Sequence, residues 1–146
     1  DIACRDSFEA ANRTGIANIT AGRDRVGFES GVKPSQRSHY KPYPIFHPGP
    51  LSAYLSKVPT DDIYSYDGMG EWFKIYELGW NESVPENATQ QWYPMRNTSI
   101  EWTIPATTPP GQYLLRIEHI FPHKTTEALQ LYVNCAQIQI NGPGGG

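Results

Sequence analysis

The sequence has only two cysteines, little charge and no long apolar run, and each shortage excludes something. Net charge is −3 and the 12 Lys and Arg residues form no cluster. Nucleic acid or an anionic membrane needs a concentrated basic surface, so neither partner is expected. No apolar stretch approaches the ~18 residues of a membrane span. HExxH, GxSxG and the Walker A loop are all missing, which removes the commonest hydrolase and nucleotide motifs. "DDIYSYDGMGE", residues 61–71, has acids and glycines without EF-hand spacing, and reads as a turn. Strong helical periodicity and internal repeats are also absent. The chain starts at Asp1, with no Met and no signal-like segment, and so reads as mature or trimmed.

What is present points to strands. Pro and Gly number 13 each, and aromatics make up 12% of the 146 residues. Strand-like runs lie between Gly, Pro, Asn and Asp, as in an all-β sandwich. Strands are expected at Ile16–Thr20, Arg25–Glu29, Glu71–Leu78, Ser99–Ile104, Gln112–Ile120 and Ala128–Ile140. Ile100, Trp102 and Ile104 alternate with Ser99, Glu101 and Thr103. Tyr113, Leu115 and Ile117 share one face, and Arg116 and Glu118 the other. In the last run Leu129, Leu131, Val133 and Cys135 share a face, and then Ala136, Ile138 and Ile140 are apolar. The phase slips by one residue near Cys135, which predicts a bulge or twist. Residues 1–142 are long enough for one domain, and 143–146 read as a Gly-rich tail or linker start.

Five glycosylation sequons begin at Asn12, Asn18, Asn81, Asn87 and Asn97. So many in a short chain point to a secreted eukaryotic protein with those segments on its surface. Cys4 and Cys135 are then either buried thiols or, more in keeping with secretion, a disulfide. Such a bridge would close nearly the whole chain, worth up to roughly 5 kcal/mol in the chain-entropy model.

The stretch from Gly31 to Thr60 has little regular signal, and long irregular loops are often functional. Within it "SAYLSK" reads as one helical turn. "YKPYPIFHPGPLSAYL" sets His47 among Pro42, Pro44, Pro48 and Pro50. Proline fixes its own φ and restricts the residue before it, so this imidazole is held locally rigid. On the last strand Gln130 and Tyr132 leave the same face, about 7 Å apart. That face is either simply solvated or part of a site with His47 and a nearby histidine. An imidazole with a phenol suits Cu(II) or iron better than Ca²⁺.

Taken in order, several segments resemble the fungal lytic polysaccharide monooxygenases of auxiliary activity family nine, formerly a glycoside hydrolase family. "DIAC" is similar to its Asp-Ile-x-Cys. "HPGPLSAYL" resembles its His-x-Gly-Pro segment with a following Tyr-Leu, and "WFKIYELG" its Phe-Lys-Ile strand. "IPATTPPGQYLLRIEHIFPH" looks like its Ile-Pro, Pro-Gly-x-Tyr, Arg-x-Glu and downstream His series. "LQLYVNCAQIQING" resembles its Gln-x-Tyr-x-x-Cys strand.

The resemblance implies an immunoglobulin-like or fibronectin-like antiparallel β-sandwich with long loops, and a Cys4–Cys135 disulfide. It implies one copper ion with His47 and Tyr132 as ligands, and Gln130 and His123 supporting them. His119 falls where the family often has an aliphatic residue and is read as structural; His39 has no counterpart. The implied reaction is oxidative cleavage of a β-1,4-glucan, cellulose or hemicellulose. O₂ or H₂O₂ and an external electron donor serve it, and the protein is an extracellular monomer.

The family pattern places a histidine-led segment before Asp-Ile-x-Cys, and that N-terminal histidine is the other copper arm. This chain starts at Asp1, so the expectation is a domain incomplete at its N-terminus. The alternative is a non-catalytic secreted sandwich that binds glycan through aromatics such as Tyr40, Tyr43, Tyr64, Tyr66, Trp80 and Trp92.

Overall fold

A turn built from Thr108-Pro109-Pro110-Gly111 starts the longest ladder of the protein. Tyr113 Oη closes it by donating to the Pro109 carbonyl at 2.9 Å. The structure is a computed structural model that describes residues 3–4, 14–31, 42–60, 62–84, 91–123 and 125–145. Its strands are β1 (Ala17–Thr20), β2 (Arg25–Glu29), β3 (Leu51–Lys57), β4 (Phe73–Leu78), β5 (Ser99–Thr103), β6 (Gly111–Phe121) and β7 (Gln130–Asn141). A 3₁₀ turn, Thr126–Ala128, leads into β7.

One sheet has the order β1-β7-β6-β3-β4, and the other pairs β2 with β5. They pack as an immunoglobulin-like sandwich. Four of the five pairings are antiparallel, but β1 runs parallel to β7 along Ala17↔Ile138 to Thr20↔Asn141.

Period-2 alternation places the core. On the inner face β6 presents Tyr113, Leu115, Ile117, His119 and Phe121. Opposite them β7 sets Ile138, Ala136, Asn134, Tyr132 and Gln130. From β3 come Leu55, Ala53 and Leu51, which face Leu115, Ile117 and His119. The second sheet answers with Ile100 and Trp102, backed by Val26 and Phe28. The Trp102 ring lies nearly parallel to Tyr76, with centroids 5.0 Å apart, and stacks on Phe28 at 6.4 Å. On the outer face Leu114 joins Cys4, Val58 and Ile63 in a smaller cluster. Beside it Arg116 pairs with Glu118 at 2.7 Å, and both side chains are mostly buried. The same guanidinium lies 4.1 Å from the Trp72 ring centroid and 5.0 Å from that of Tyr54.

Six strands fall where alternation predicts them, within two residues at each end. The segment "SAYLSK" does not form a helical turn: it is β3, a central strand. Leu51, Ala53 and Leu55 are buried at every second position, and β6 and β4 flank them with backbone partners on both sides. A lone turn would leave those groups unpaired, so tertiary pairing overrides the short local signal. Of the bulge or twist expected near Cys135, the bulge is absent. All eleven β6–β7 pairs run without a slip. The apolar phase changes because the sheet is covered on both sides, by the main core near Ile138 and by the Cys4 cluster near Cys135. The register shift lies instead between Ala53 and Tyr54, in the β3–β4 pair.

Cys4 and Cys135 are joined in a disulfide across 131 residues of sequence. Asn18 and Asn97 are exposed and Asn81 half-buried; Asn12, Asn87, His39 and Tyr40 lie outside the described residues. The double variant Cys4→Ser/Cys135→Ser is expected to lose about 2–5 kcal/mol of stability. Urea unfolding read by tryptophan fluorescence checks this. An unchanged midpoint would show that the covalent closure contributes nothing.

Candidate functional site

A segment rich in proline has few donors with which to attach itself. Pro42, Pro44, Pro48 and Pro50 carry no N–H. The strand of loop they occupy is therefore anchored where the remaining N–H groups and the carbonyls can reach. Tyr43 N donates to the Gly31 carbonyl at 3.1 Å, and Ile45 N to that of Asn97 at 2.9 Å. Arg96 N returns a bond to the Ile45 carbonyl at 2.8 Å, and Ile120 N bonds the Pro50 carbonyl at 3.0 Å. These contacts carry the loop from the 91–98 segment to the end of β6.

Gly49 is required at the point of contact. A Cβ there would sit 1.8 Å from the Ile120 carbonyl oxygen, well inside any permitted distance. With Gly49 pressed against β6, His47 comes to lie over the ends of β6 and β7.

There it meets the residues that alternation delivers. The imidazole stacks on Phe121 with centroids 4.4 Å apart and planes 26° apart, and Phe46 tilts against it at 4.1 Å. The Tyr132 ring is 5.6 Å away and within 21° of parallel. Tyr132 Oη donates to Gln130 Oε1, its neighbour two residues back on the same face. His119, opposite Tyr132 in the ladder, has its ring 6.0 Å from the phenol ring. His123 is exposed and joins the group at its margin, edge-on to Phe121 at 6.0 Å. A cavity of about 380 Å³ opens beneath, lined by Phe28, Ile45, His47, Ile117, His119 and Tyr132 among others.

So His47, Tyr132 and Gln130 come together, from sequence positions more than eighty residues apart. The face bearing Gln130 and Tyr132 is in phase with the core face of β7, and both residues are exposed at that end of it. Among the described contacts, His123 meets the group through Phe121. Phe121, Phe46 and His119 also belong to the group. Phe121 and His119 were traceable in principle, since they fall in phase with Tyr113, Leu115 and Ile117. Phe46 leaves no such trace. Of the aromatics expected on the surface, Tyr64 and Trp80 are exposed, while Tyr43, Tyr66 and Trp92 are half-buried. Phe46 and Tyr93 are exposed in addition.

The electrostatics centre on His119, which is buried. Its Nε2 faces the His47 carbonyl at 3.0 Å and its Nδ1 the Pro50 carbonyl at 3.1 Å. Burial pushes its pKa below the ordinary histidine value, while the two carbonyls pull it back. Each neutral tautomer donates to one carbonyl, and the imidazolium donates to both.

An imidazole and a phenol side by side are a borderline nitrogen donor and an oxygen donor, a set that fits copper. Among the described residues no group of three His, Cys, Asp or Glu side chains converges.

The family model for Auxiliary Activity family 9 (formerly GH61) matches residues 1–146. Lytic polysaccharide monooxygenase U of Thermothielavioides terrestris is 41% identical over 147 residues, covering all of this chain and 52% of the relative. Lytic polysaccharide monooxygenase G of Aspergillus tamarii is 35% identical, again over the whole chain but 42% of its own length. Among solved structures, a cellulose-active polysaccharide monooxygenase from M. thermophila superposes with a TM-score of 0.69 at 29% identity. That match covers 90% of this chain and 56% of the other. The extended catalytic domain of H. jecorina LPMO9A gives 0.71 at 26% identity, covering 97% and 57%. The chain thus spans about half the length of the relatives it matches.

Two substitutions separate what holds the site from what merely occupies it. Gly49→Ala is expected to cost about 1–3 kcal/mol, because the loop must lift off β6 to admit a methyl group. Tyr132→Phe removes an exposed hydroxyl and is expected to stay within about 0.5 kcal/mol of the parent. Thermal unfolding of both reads the contrast. Equal losses would mean that the Tyr132–Gln130 bond supports the fold rather than the site.

Proposed function

The chain belongs to Auxiliary Activity family 9, and from that footing we propose that it serves copper-dependent oxidative cleavage of a β-1,4-glucan, cellulose or hemicellulose. The observation that carries this reading is the stacking of His47 beside Tyr132, at 5.6 Å and 21°, with the Tyr132 hydroxyl fixed on Gln130. His47 and Tyr132 are the residues that would hold the copper. Bound there, and supplied by an external electron donor with O₂ or H₂O₂, copper provides the redox chemistry that cleaves the glycosidic chain.

The protein's own part is placement. Phe121 and Phe46 flank the His47 ring and limit its rotation. Gln130 accepts the Tyr132 proton in a hydrogen bond, which fixes the phenol oxygen in one direction and tunes it as a donor. His123 stands at the rim, exposed, within reach of solvent and of a polymer laid across the site. Tyr132 and Phe46 remain 41% and 57% exposed. An open site suits a polysaccharide, which no closed pocket of this size admits. The sequons and the disulfide agree with an extracellular protein, and its working partner is then the polymer itself.

A second reading has one observation in its favour. Phe46, Tyr64, Trp80 and Tyr93 are all substantially exposed, and aromatic faces stack on sugar rings. A non-catalytic glycan-binding sandwich would use them without metal.

Copper titration followed by electron paramagnetic resonance, together with mass spectrometry of products from cellulose, tests the two readings. A tight Cu(II) site with nitrogen hyperfine structure, lost in His47→Ala along with oxidised oligosaccharides, is the expected outcome. Weak one-histidine binding with no oxidised product would sink the enzyme reading for this chain. Metal-independent retention on cellulose would then favour the binding module.

A further inference from the structure

We infer that His119 is a positioning residue: its ring clamps the turn from His47 to Pro50 onto β6 and so determines where the His47 imidazole stands. Both ring nitrogens face this one turn, at 3.0 and 3.1 Å from carbonyls three residues apart, and in the neutral ring the one that carries the proton donates. The turn offers few alternatives. Pro48 and Pro50 have no N–H, so it is bound to the sheet as an acceptor. The only other donor to these two carbonyls among the described contacts is Ile120 N, which reaches Pro50 alone. His119 is thus the one side chain that grips the peptide of His47 itself.

The neighbours transmit the grip to the ring. Gly49 lies against the Ile120 carbonyl, so the turn has no slack toward β6. Leu51 pairs with His119 across the β3–β6 ladder, which fixes where the turn ends. With its backbone held at both ends, His47 has little freedom beyond its side-chain rotation, and Phe121 limits that by stacking at 4.4 Å. An aliphatic side chain at position 119 would fill the same space but donate nothing. The half-buried His47 carbonyl would lose this donor.

The clamp stands on geometry, and its effect on metal binding rests on the copper reading above. The test uses the full chain with His119→Phe, a ring without donors, and His119→Gln, which donates to a carbonyl. In the metal-free protein, proton NMR of the His47 ring reports its displacement over Phe121. His119→Phe is expected to move those signals toward the values of an unstacked histidine and to lower Cu(II) affinity about tenfold by calorimetry. His119→Gln is expected to fall between this variant and the parent on both scales. If His119→Phe lowers the melting temperature yet leaves the His47 signals and copper affinity at parental values, the residue only fills space and the clamp is overturned. Should His119→Phe not fold, His119→Met, likewise without a donor, decides, and unmoved His47 signals in that variant overturn the clamp. A parent that binds no copper tightly refutes the copper reading, and the NMR comparison still decides the clamp.

Discussion

The uninterrupted pairing of β6 with β7 is the constraint on which the rest depends. Eleven residue pairs, from Gly111↔Ile140 to Phe121↔Gln130, run in one register. Because side chains alternate with period 2, that register decides both ends of the inner face at once. At one end it buries Tyr113, Leu115, Ile138 and Ile140. At the other it aligns His119, Phe121, Tyr132 and Gln130 below the His47 turn. A slip of one residue would turn the core outward and scatter the site in the same step. Stability and site geometry are therefore not separate properties of this sheet.

Much of this was legible in the sequence wherever a strand has one wet face. Ser99–Thr103 and Arg25–Glu29 form a two-stranded sheet with an exposed side, and their alternation identifies them cleanly. β3 was hidden for the opposite reason. It is central, and its non-core positions carry Ser52, Tyr54 and Ser56, which are covered by the outer face rather than by water. Six residues of mixed polarity next to prolines then resemble a turn. The apolar phase change at Cys135 misled in the same way. It records which side of the sheet is better covered at that height, and alternation alone cannot distinguish this from an extra residue.

The candidate site was legible only in part. His47 drew notice through its prolines, and Gln130 and Tyr132 through their spacing. That they meet depends on Gly49 letting the loop approach β6, a contact no local pattern encodes. His119 read as an ordinary core histidine because its role depends on carbonyls more than sixty residues away. Phe46 and Phe121 are apolar residues beside an imidazole, and their contribution is shape. The family resemblance named His47 and Tyr132 as ligands and did not point to Phe46 or Phe121, whose rings pack against the imidazole.

The disulfide has a consequence in time as well as in energy. Its partners are 131 residues apart, and the later one lies in β7, the last strand. During synthesis Cys4 leaves the ribosome long before Cys135 exists. Cys4 therefore stays a thiol until β7 is made. Since Cys135 belongs to the ladder that also sets the site, the bridge ties the segment around Cys4 to that ladder. In an oxidising compartment, the bond would record that β7 has formed and that the segment around Cys4 has been drawn onto it.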